Sequence, residues 1–285
     1  MNIIDYLPEI EEIVDKALSE DLGHGDVTTD ALIPSNKQVK ASITSKSKGI
    51  LAGIEICKLV FLKVDPFIKF TIVIGDGILI QPGTTIATIE GAAQSILKAE
   101  RTALNFLQHL SGIATVTSQY VEAVKGLHTQ ILDTRKTIPG LRTLEKYAVA
   151  TGGGKNHRFH LGETILIKDN HIALLRQQGL DIKDVVMKAR SRAPTGIKVE
   201  IETTDPEDAF EASKAGADII MLDNMNLDEM CRAVKLINHR AIVEASGGVN
   251  LDNVRSIAET GVDWISIGAL THSARALDIS LELEI

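Results

Sequence analysis

Near the start of the chain, apolar residues recur at spacings of three and four: Ile3 and Ile4, Leu7, Ile10, Ile13 and Val14, Ala17 and Leu18. This spacing predicts a helix with one buried face, stopped at Gly23 and Gly25 in GHGDVTTD and followed by a turn to about residue 35. From 37 to 91 the period shortens. KASITS, GILAG, IKFTIVI and TTIATIE are short and β-branched, and GDG and QPG punctuate them as strands are punctuated. Between them IEICKLVFLKV reads as a helix packed on that sheet. AAQSILKAERTALNFLQHLSG reads as a longer helix with Leu97, Leu104, Leu107 and Leu110 on one stripe. Together these elements predict a small α+β domain over residues 1–112, with a second domain over 113–285.

The second half follows a different pattern. Short apolar runs stand at ILD (131–133), TILI (164–167), IKVEI (197–201), DIIMLD (218–223), AIVEA (241–245) and WISIG (264–268), with starts 33, 33, 21, 23 and 23 residues apart. Helix-like segments such as DPEDAFEASKAGA fill most of the gaps. The alternation predicts an α/β architecture of parallel βα units, a barrel or an open sheet, with six clear strands.

Composition narrows the class. The chain has 285 residues, 44% apolar and 24% charged, which fits one large or two smaller globular domains. No apolar run approaches the roughly 20 residues of a membrane helix. The acidic, amphipathic start MNIIDYLPEIEEIVDK lacks a basic n-region, so a cytoplasmic protein is expected. Two cysteines, Cys57 and Cys231, support neither a disulfide framework nor a zinc cluster. A net charge of −8 argues against a nucleic-acid binder, which needs a basic face.

Polar groups collect where the apolar runs of the second half end. They are Asp133-Thr134-Arg135-Lys136, Lys168-Asp169-Asn170-His171, Glu200 and Glu202, Asp223-Asn224, Glu244 with Ser246-Gly247-Gly248, and Gly268-Ala269. In βα barrels the site is built at the C-terminal strand ends, so these are candidates for chemistry. Between Asp133 and His171, seven Lys and Arg face four acids, a basic island in an acidic chain that suits a small polyanionic substrate. Arg142 and Lys146, four apart on the helix LRTLEKYAV, read instead as a solvated face. Gly247-Gly248 and Gly268 follow the last two strands, where barrels bind phosphate through backbone N–H groups. Glu200 and Asp223, on neighbouring strands, fit Mg²⁺, directly or through water, or ribose hydroxyls. Glu202 points to the same side as Glu200, and periodicity does not choose between them. His157 and His171 lie in the basic island; His24, His109, His128, His239 and His272 read as structural or surface residues.

DTRKTIPGLR (133–142), GGGKNHR (152–158), LIKDNH (166–171), VEIET (199–203), MLDN (221–224) and VEASGGV (243–249) together resemble the quinolinate phosphoribosyltransferase family. EDLGHGDVTTD (20–30), ERTALNFLQHLSGIAT (100–115) and GVDWISIGALTHS (261–273) extend the resemblance over most of the chain. The resemblance implies an N-terminal α/β sandwich domain, then an incomplete, seven-stranded α/β barrel whose C-terminal tail packs back on the first domain. It implies a homodimer with a shared site, with hexamers of dimers as a larger assembly. The implied reaction joins quinolinate to phosphoribosyl pyrophosphate with Mg²⁺, giving nicotinate mononucleotide, pyrophosphate and carbon dioxide for NAD biosynthesis.

Carried over by motif, Arg135, His157 and Arg158 would bind the pyridine dicarboxylate beside Thr134, with Lys168 where the two substrates meet. Arg101 would enter from the neighbouring subunit. Lys136, Glu200 and Asp223 would contact phosphoribosyl pyrophosphate and its metal, the alignment favouring Glu200 over Glu202. Ser246, Gly247, Gly248, Gly268 and Ala269 would hold the 5′-phosphate. Ile138, Ala150 and Glu163 depart from residues common in the family. The residues alone leave room for a paralogue with another acceptor, a lyase using Lys168 as a Schiff-base amine, or a non-catalytic anion sensor.

Overall fold

The computed structural model describes residues 6–284, so Ile3 and Ile4 of the first helical face lie outside the described residues. The chain forms two compact units. The first comprises Met1–Ser118, Thr137–Gly153 and Ala269–Ile285; the second comprises Gln119–Lys136 and Gly154–Gly268.

In the first unit, α1 (Leu7–Leu22) buries Ile10, Val14 and Leu18 and stops at Gly23. The expected turn after it contains a second helix, α2 (Val27–Leu32), too short to show a periodic stripe. Asp26 starts it, its carboxylate accepting the Thr29 N–H at 2.9 Å. β1 (Gln38–Ser45), β3 (Lys69–Ile72), β5 (Thr85–Ala92) and β12 (Ile279–Glu284) form an antiparallel sheet in the order β12-β1-β5-β3. The C-terminal segment thus pairs with the first strand, Ser45 opposite Ile279 and Lys40 opposite Glu284.

Of GILAG, Gly49–Ile50 form β2, paired with β4 (Leu79–Ile80), and Leu51 makes backbone bonds to Ile78 and Gly77. The run then turns at Gly53, whose φ of 94° is open to glycine, into α3 (Ile54–Val64). Asp76 accepts the Gly53 and Ile54 N–H groups at 2.8 and 3.0 Å, satisfying two donors at that helix start.

α4 (Ala93–Ala123) passes through residue 112, so the domain boundary expected there falls inside a helix. The apolar stripe continues through Ile113, Ala114 and Tyr120, which leaves no reason for the helix to break. α5 (Arg142–Thr151) also corrects an expectation. Lys146, read as part of a solvated face, is completely buried, and so is Glu145 beside it; Arg142 is half-buried. The helix packs on more than one side, and the polar residues of its sequence conceal that. Glu145 accepts from the His109 ring at 2.9 Å and from the Ile138 N–H at 3.1 Å.

The second unit is a parallel sheet. β6 (Gln130–Leu132), β7 (Thr164–Ile167), β8 (Lys198–Thr203), β9 (Ile219–Asp223), β10 (Ile242–Ser246) and β11 (Trp264–Ser266) are the six runs read from the sequence, in the order β6-β11-β10-β9-β8-β7. Lys155 adds an isolated parallel bridge to Leu132 of β6, beside the six strands of this partial barrel. α6 (Asp169–Arg176), α7 (Ile182–Arg192), α8 (Pro206–Lys214), α9 (Leu227–Ile237) and α10 (Val254–Glu259) alternate with the strands. Asp181, Asp205 and Asn226 cap α7, α8 and α9 by accepting N–H groups at 2.8, 2.8 and 3.0 Å. Val199, Ile201, Ile220, Leu222, Val243, Ala245 and Ile265 are buried, as expected for strands covered on both faces. Among the described residues, no helix is long and apolar enough to cross a membrane.

Candidate functional site

The parallel strands of the second unit all end at one rim, and the segments leaving them enclose a cavity of about 530 Å³. Thr134, Arg135, Lys136, His157, Arg158, Lys168, Asp223, Ser246, Gly247 and Gly248 all line it, as do Glu202 and Glu244. The structure thus brings together fourteen of the residues singled out from the sequence, Asp169 and Asn224 included. Arg101 is exposed on α4 of the first unit and does not line this cavity. Neither do Gly268 and Ala269, the latter opening the short helix α11 (Ala269–His272).

The strand register separates the two acids of β8. Glu202 is level with Met221 of β9 and with Glu244 of β10, whereas Glu200 is level with Ile219, one pleat repeat deeper. Two residues along a strand span about 6.6 Å, enough to move a side chain from the cavity wall into the interior. Glu202 accordingly lines the cavity, its side chain 14% exposed and paired at 3.1 Å with Lys168 Nζ. Glu200 is fully buried and does not line it. The family resemblance favours Glu200 as the acid facing substrate and metal; in the structure Glu202, not Glu200, lines the cavity.

Glu200 has another partner. His157 Nε2 stands 3.3 Å from Glu200 Oε1 and 3.3 Å from Glu244 Oε2, with both carboxylates inaccessible to solvent. Burial alone would lower the His157 pKa, but the two acids outweigh it and raise the ring to about 10. Burial pushes the Glu200 carboxyl up, as does the nearby Glu244, while the His157 ring pulls it down. At its other end, the ring accepts the Arg158 N–H on Nδ1 at 2.8 Å, which opposes a second proton. The two acids and the backbone N–H therefore pull in opposite directions: protons on both nitrogens suit Glu200 and Glu244, whereas accepting from Arg158 needs a lone pair on Nδ1. These three side chains bring ligand atoms within 4.8 Å of one another, and Nε2 would have to give up the proton it shares with the two acids to bind a metal. The group is an ion network beneath the cavity, and Glu244 is its member that the sequence reading left without a role.

Local chemistry fixes the remaining groups. Thr134 Oγ1 accepts the Lys136 N–H at 3.0 Å, tightening the turn that carries Arg135. The Arg158 guanidinium donates to the Thr164 carbonyl at 2.8 Å. Its pKa is lowered mainly by burial, with the like charge of Arg135 adding to the effect. Lys168 precedes α6, and its N–H donates to His171 Nδ1 at 2.9 Å, so His171 serves as a cap. Asn224, at φ 56°, donates through Nδ2 to Asp223 at 3.0 Å. Gly247 passes so close that a Cβ there would lie 2.2 Å from Asn224 Oδ1, and its φ of 91° also favours glycine.

For a divalent cation, the half-buried Glu202 and Asp223 and the exposed Asp169 all offer carboxylate oxygens to the cavity. Such a set fits magnesium, a hard ion that takes one or two carboxylates and completes its shell with water and phosphate.

Residues 26–111 match the model of the quinolinate phosphoribosyl transferase N-terminal domain, and residues 113–282 match that of the C-terminal domain. Nicotinate-nucleotide pyrophosphorylase (carboxylating) of Mycobacterium leprae is 42% identical over 95% of this chain and 96% of its own length. The probable enzyme of that name from Bacillus subtilis is 41% identical over 96% of this chain and 93% of its own. Among solved structures, NadC from Streptococcus pyogenes is similar with a TM-score of 0.92 at 40% identity, covering 100% of this chain and 98% of that one. The nicotinate-nucleotide pyrophosphorylase from Francisella tularensis has a TM-score of 0.90 at 37% identity, covering 97% and 96%. With both domains matched in order and the cationic cavity at the strand ends, the chain belongs to the quinolinate phosphoribosyl transferase family.

Proposed function

We propose that this protein is a quinolinate phosphoribosyltransferase, forming nicotinate mononucleotide, pyrophosphate and carbon dioxide from quinolinate and phosphoribosyl pyrophosphate in NAD biosynthesis. The observation that carries this reading is the meeting of Arg135, Lys136, His157, Arg158 and Lys168 in one cavity with Asp223 and the Ser246-Gly247-Gly248 turn. Quinolinate has two adjacent carboxylates, and its cosubstrate has still more negative charge. Their mutual repulsion is offset by clustered cations, more strongly once water is excluded.

In this reading Arg135, His157 and Arg158 hold the two carboxylates and aim the ring nitrogen at ribose C1. Lys168 sits between the substrates and Lys136 faces the pyrophosphate. The nitrogen lone pair forms the new bond to C1 as the C1–O bond breaks, its electron pair leaving with pyrophosphate. Glu202 and Asp223 favour the positive ribose that develops. The ring nitrogen is then cationic and stabilises, as an ylide, the electron pair left on the neighbouring ring carbon when carbon dioxide departs; that pair then takes up a proton from solvent. Positioning and electrostatics supply the acceleration, with no covalent nucleophile. Magnesium, held by Glu202 and Asp223, would supply positive charge beside the pyrophosphate oxygens.

The same proposal includes a homodimer. Arg101 is exposed in the first unit, and a second copy would supply it to the cavity. It also includes a cytoplasmic location, which suits the free thiols of Cys57 and Cys231.

A discontinuous assay with quinolinate, phosphoribosyl pyrophosphate and Mg²⁺, scored by chromatography of nicotinate mononucleotide, tests the proposal. Nicotinate serves as the parallel substrate. Product from quinolinate and none from nicotinate is expected; product from nicotinate alone would overturn the dicarboxylate assignment.

A further inference from the structure

Asp133 is fully buried at the end of β6, next to the residues that carry substrate charge, and the reaction described above does not use it. Its surroundings follow a broken pattern. Lys155 lies on β6 as a parallel neighbour: its N–H donates to the Ile131 carbonyl at 2.8 Å, and its carbonyl accepts the Asp133 N–H at 3.1 Å. In a regular parallel ladder the next bond would run from the His157 N–H to the Asp133 carbonyl. Instead, the His157 N–H donates to the Asp133 side chain, Oδ1, at 2.8 Å.

A carboxylate therefore takes the place of a backbone carbonyl at the last rung. The bond keeps the two chains together, and the ladder ends there rather than continuing through the residues that follow. Beyond that rung lie Arg135 and Lys136 on one chain and His157 and Arg158 on the other, all four lining the cavity.

We infer that Asp133 is a positioning residue that ends the β6 ladder and fixes the spacing between the Arg135-Lys136 and His157-Arg158 pairs for a dicarboxylate. The inference deepens the proposed function and rests on it for the identity of the ligand. The contribution of this bond is geometric: it needs an acceptor oxygen at the reach of the Asp133 side chain. Charge and position can be separated by two variants. Asp133→Asn keeps an oxygen at that reach and discards the charge. Asp133→Glu keeps the charge and moves the oxygen one methylene outward.

Each variant is assayed for quinolinate KM, kcat and thermal midpoint, with hydrogen exchange of the His157 amide followed by NMR. Asp133→Asn is expected to stay within about threefold of wild type in quinolinate KM, with a slow His157 amide. Asp133→Glu is expected to raise that KM about tenfold or more, because misplacing binding groups by an ångström is costly, and to speed the exchange. Its kcat at saturation should change less than its KM, a split that general destabilisation would not produce. Wild-type behaviour of Asp133→Glu, or an Asp133→Asn as impaired as Asp133→Glu, overturns the inference. Should Asp133→Glu not fold, Asp133→Asn alone decides, with normal KM and slow exchange sustaining it and their loss overturning it. Wild-type protein run alongside isolates the functional reading: if it makes no product, the transferase assignment fails, while the amide-exchange comparison still decides the role of Asp133.

Discussion

Lys168 Nζ lies 3.1 Å from Glu202 Oε1, so the cation where the substrates would meet is paired with the acid that faces the same cavity. Glu202 is mostly buried while half the Lys168 side chain is exposed, so Lys168 is the partner able to turn toward an entering anion.

Glu202 and Glu200 should consequently fail in different ways. Glu202→Gln is expected to raise KM for phosphoribosyl pyrophosphate and lower kcat with little change in thermal midpoint. Glu200→Gln, which weakens a buried network, should cost about 1–3 kcal/mol of stability. Steady-state kinetics beside thermal denaturation distinguishes the pair, and the reverse pattern would return the substrate-facing role to Glu200.

The His157 ring gives a pH signature. Its value of about 10 in the folded protein lies above the usual 6.5, so its stabilising effect is complete below about 6.5 and is lost as pH rises through about 10. The stability advantage of wild type over His157→Gln should therefore shrink on the alkaline side. Nitrogen NMR of the ring at pH 7.5 is expected to show both nitrogens protonated. A neutral ring with its hydrogen on Nε2 would mean that the Arg158 N–H prevails over the two acids.

Arg135→Lys keeps the charge but loses the planar fork that can give a carboxylate two parallel bonds. Quinolinate binding should weaken by about 1.5–3 kcal/mol, measured by calorimetry. An unchanged affinity would remove Arg135 from contact with the substrate.

Gly247→Ala would place a methyl 2.2 Å from Asn224 Oδ1 at a φ of 91°. The turn must shift, and KM for phosphoribosyl pyrophosphate is expected to rise about tenfold or more, equal to about 1.4 kcal/mol. Quinolinate affinity measured alone should hardly change.

The shared site is tested by mixing. Arg101→Ala and Lys136→Ala should each be inactive as pure proteins, and mixed dimers should regain activity through one intact combination. Absence of recovery despite demonstrated subunit exchange would refute the contribution of Arg101 across the interface.

The sequence was most informative where periodicity and local chemistry agree. The six strands of the parallel sheet, α3 and the strand-end position of Arg135, Lys136, Lys168 and Asp223 could all be read directly. Depth could not. Glu200 and Glu202 share a face by the period of two, and only the pairing of β8 with β9 shows which one reaches the cavity. Lys146 escaped for a related reason: a charged residue on an amphipathic helix reads as solvated unless a second packing face is known. Helix α2 was missed because Asp26 caps a segment of six residues, too few for a hydrophobic period.

The pairing of β12 with β1 has a consequence for biosynthesis. Residues 279–284 are made long after β1, yet they lie against it. Until they leave the ribosome, β1 has one bare edge, a template for pairing with another nascent chain. The parallel sheet needs nothing beyond Gly268 and can form earlier. Chains stalled or cut short between residues 268 and 279 should therefore be the ones that aggregate, and a bulky fusion is better tolerated away from this last strand.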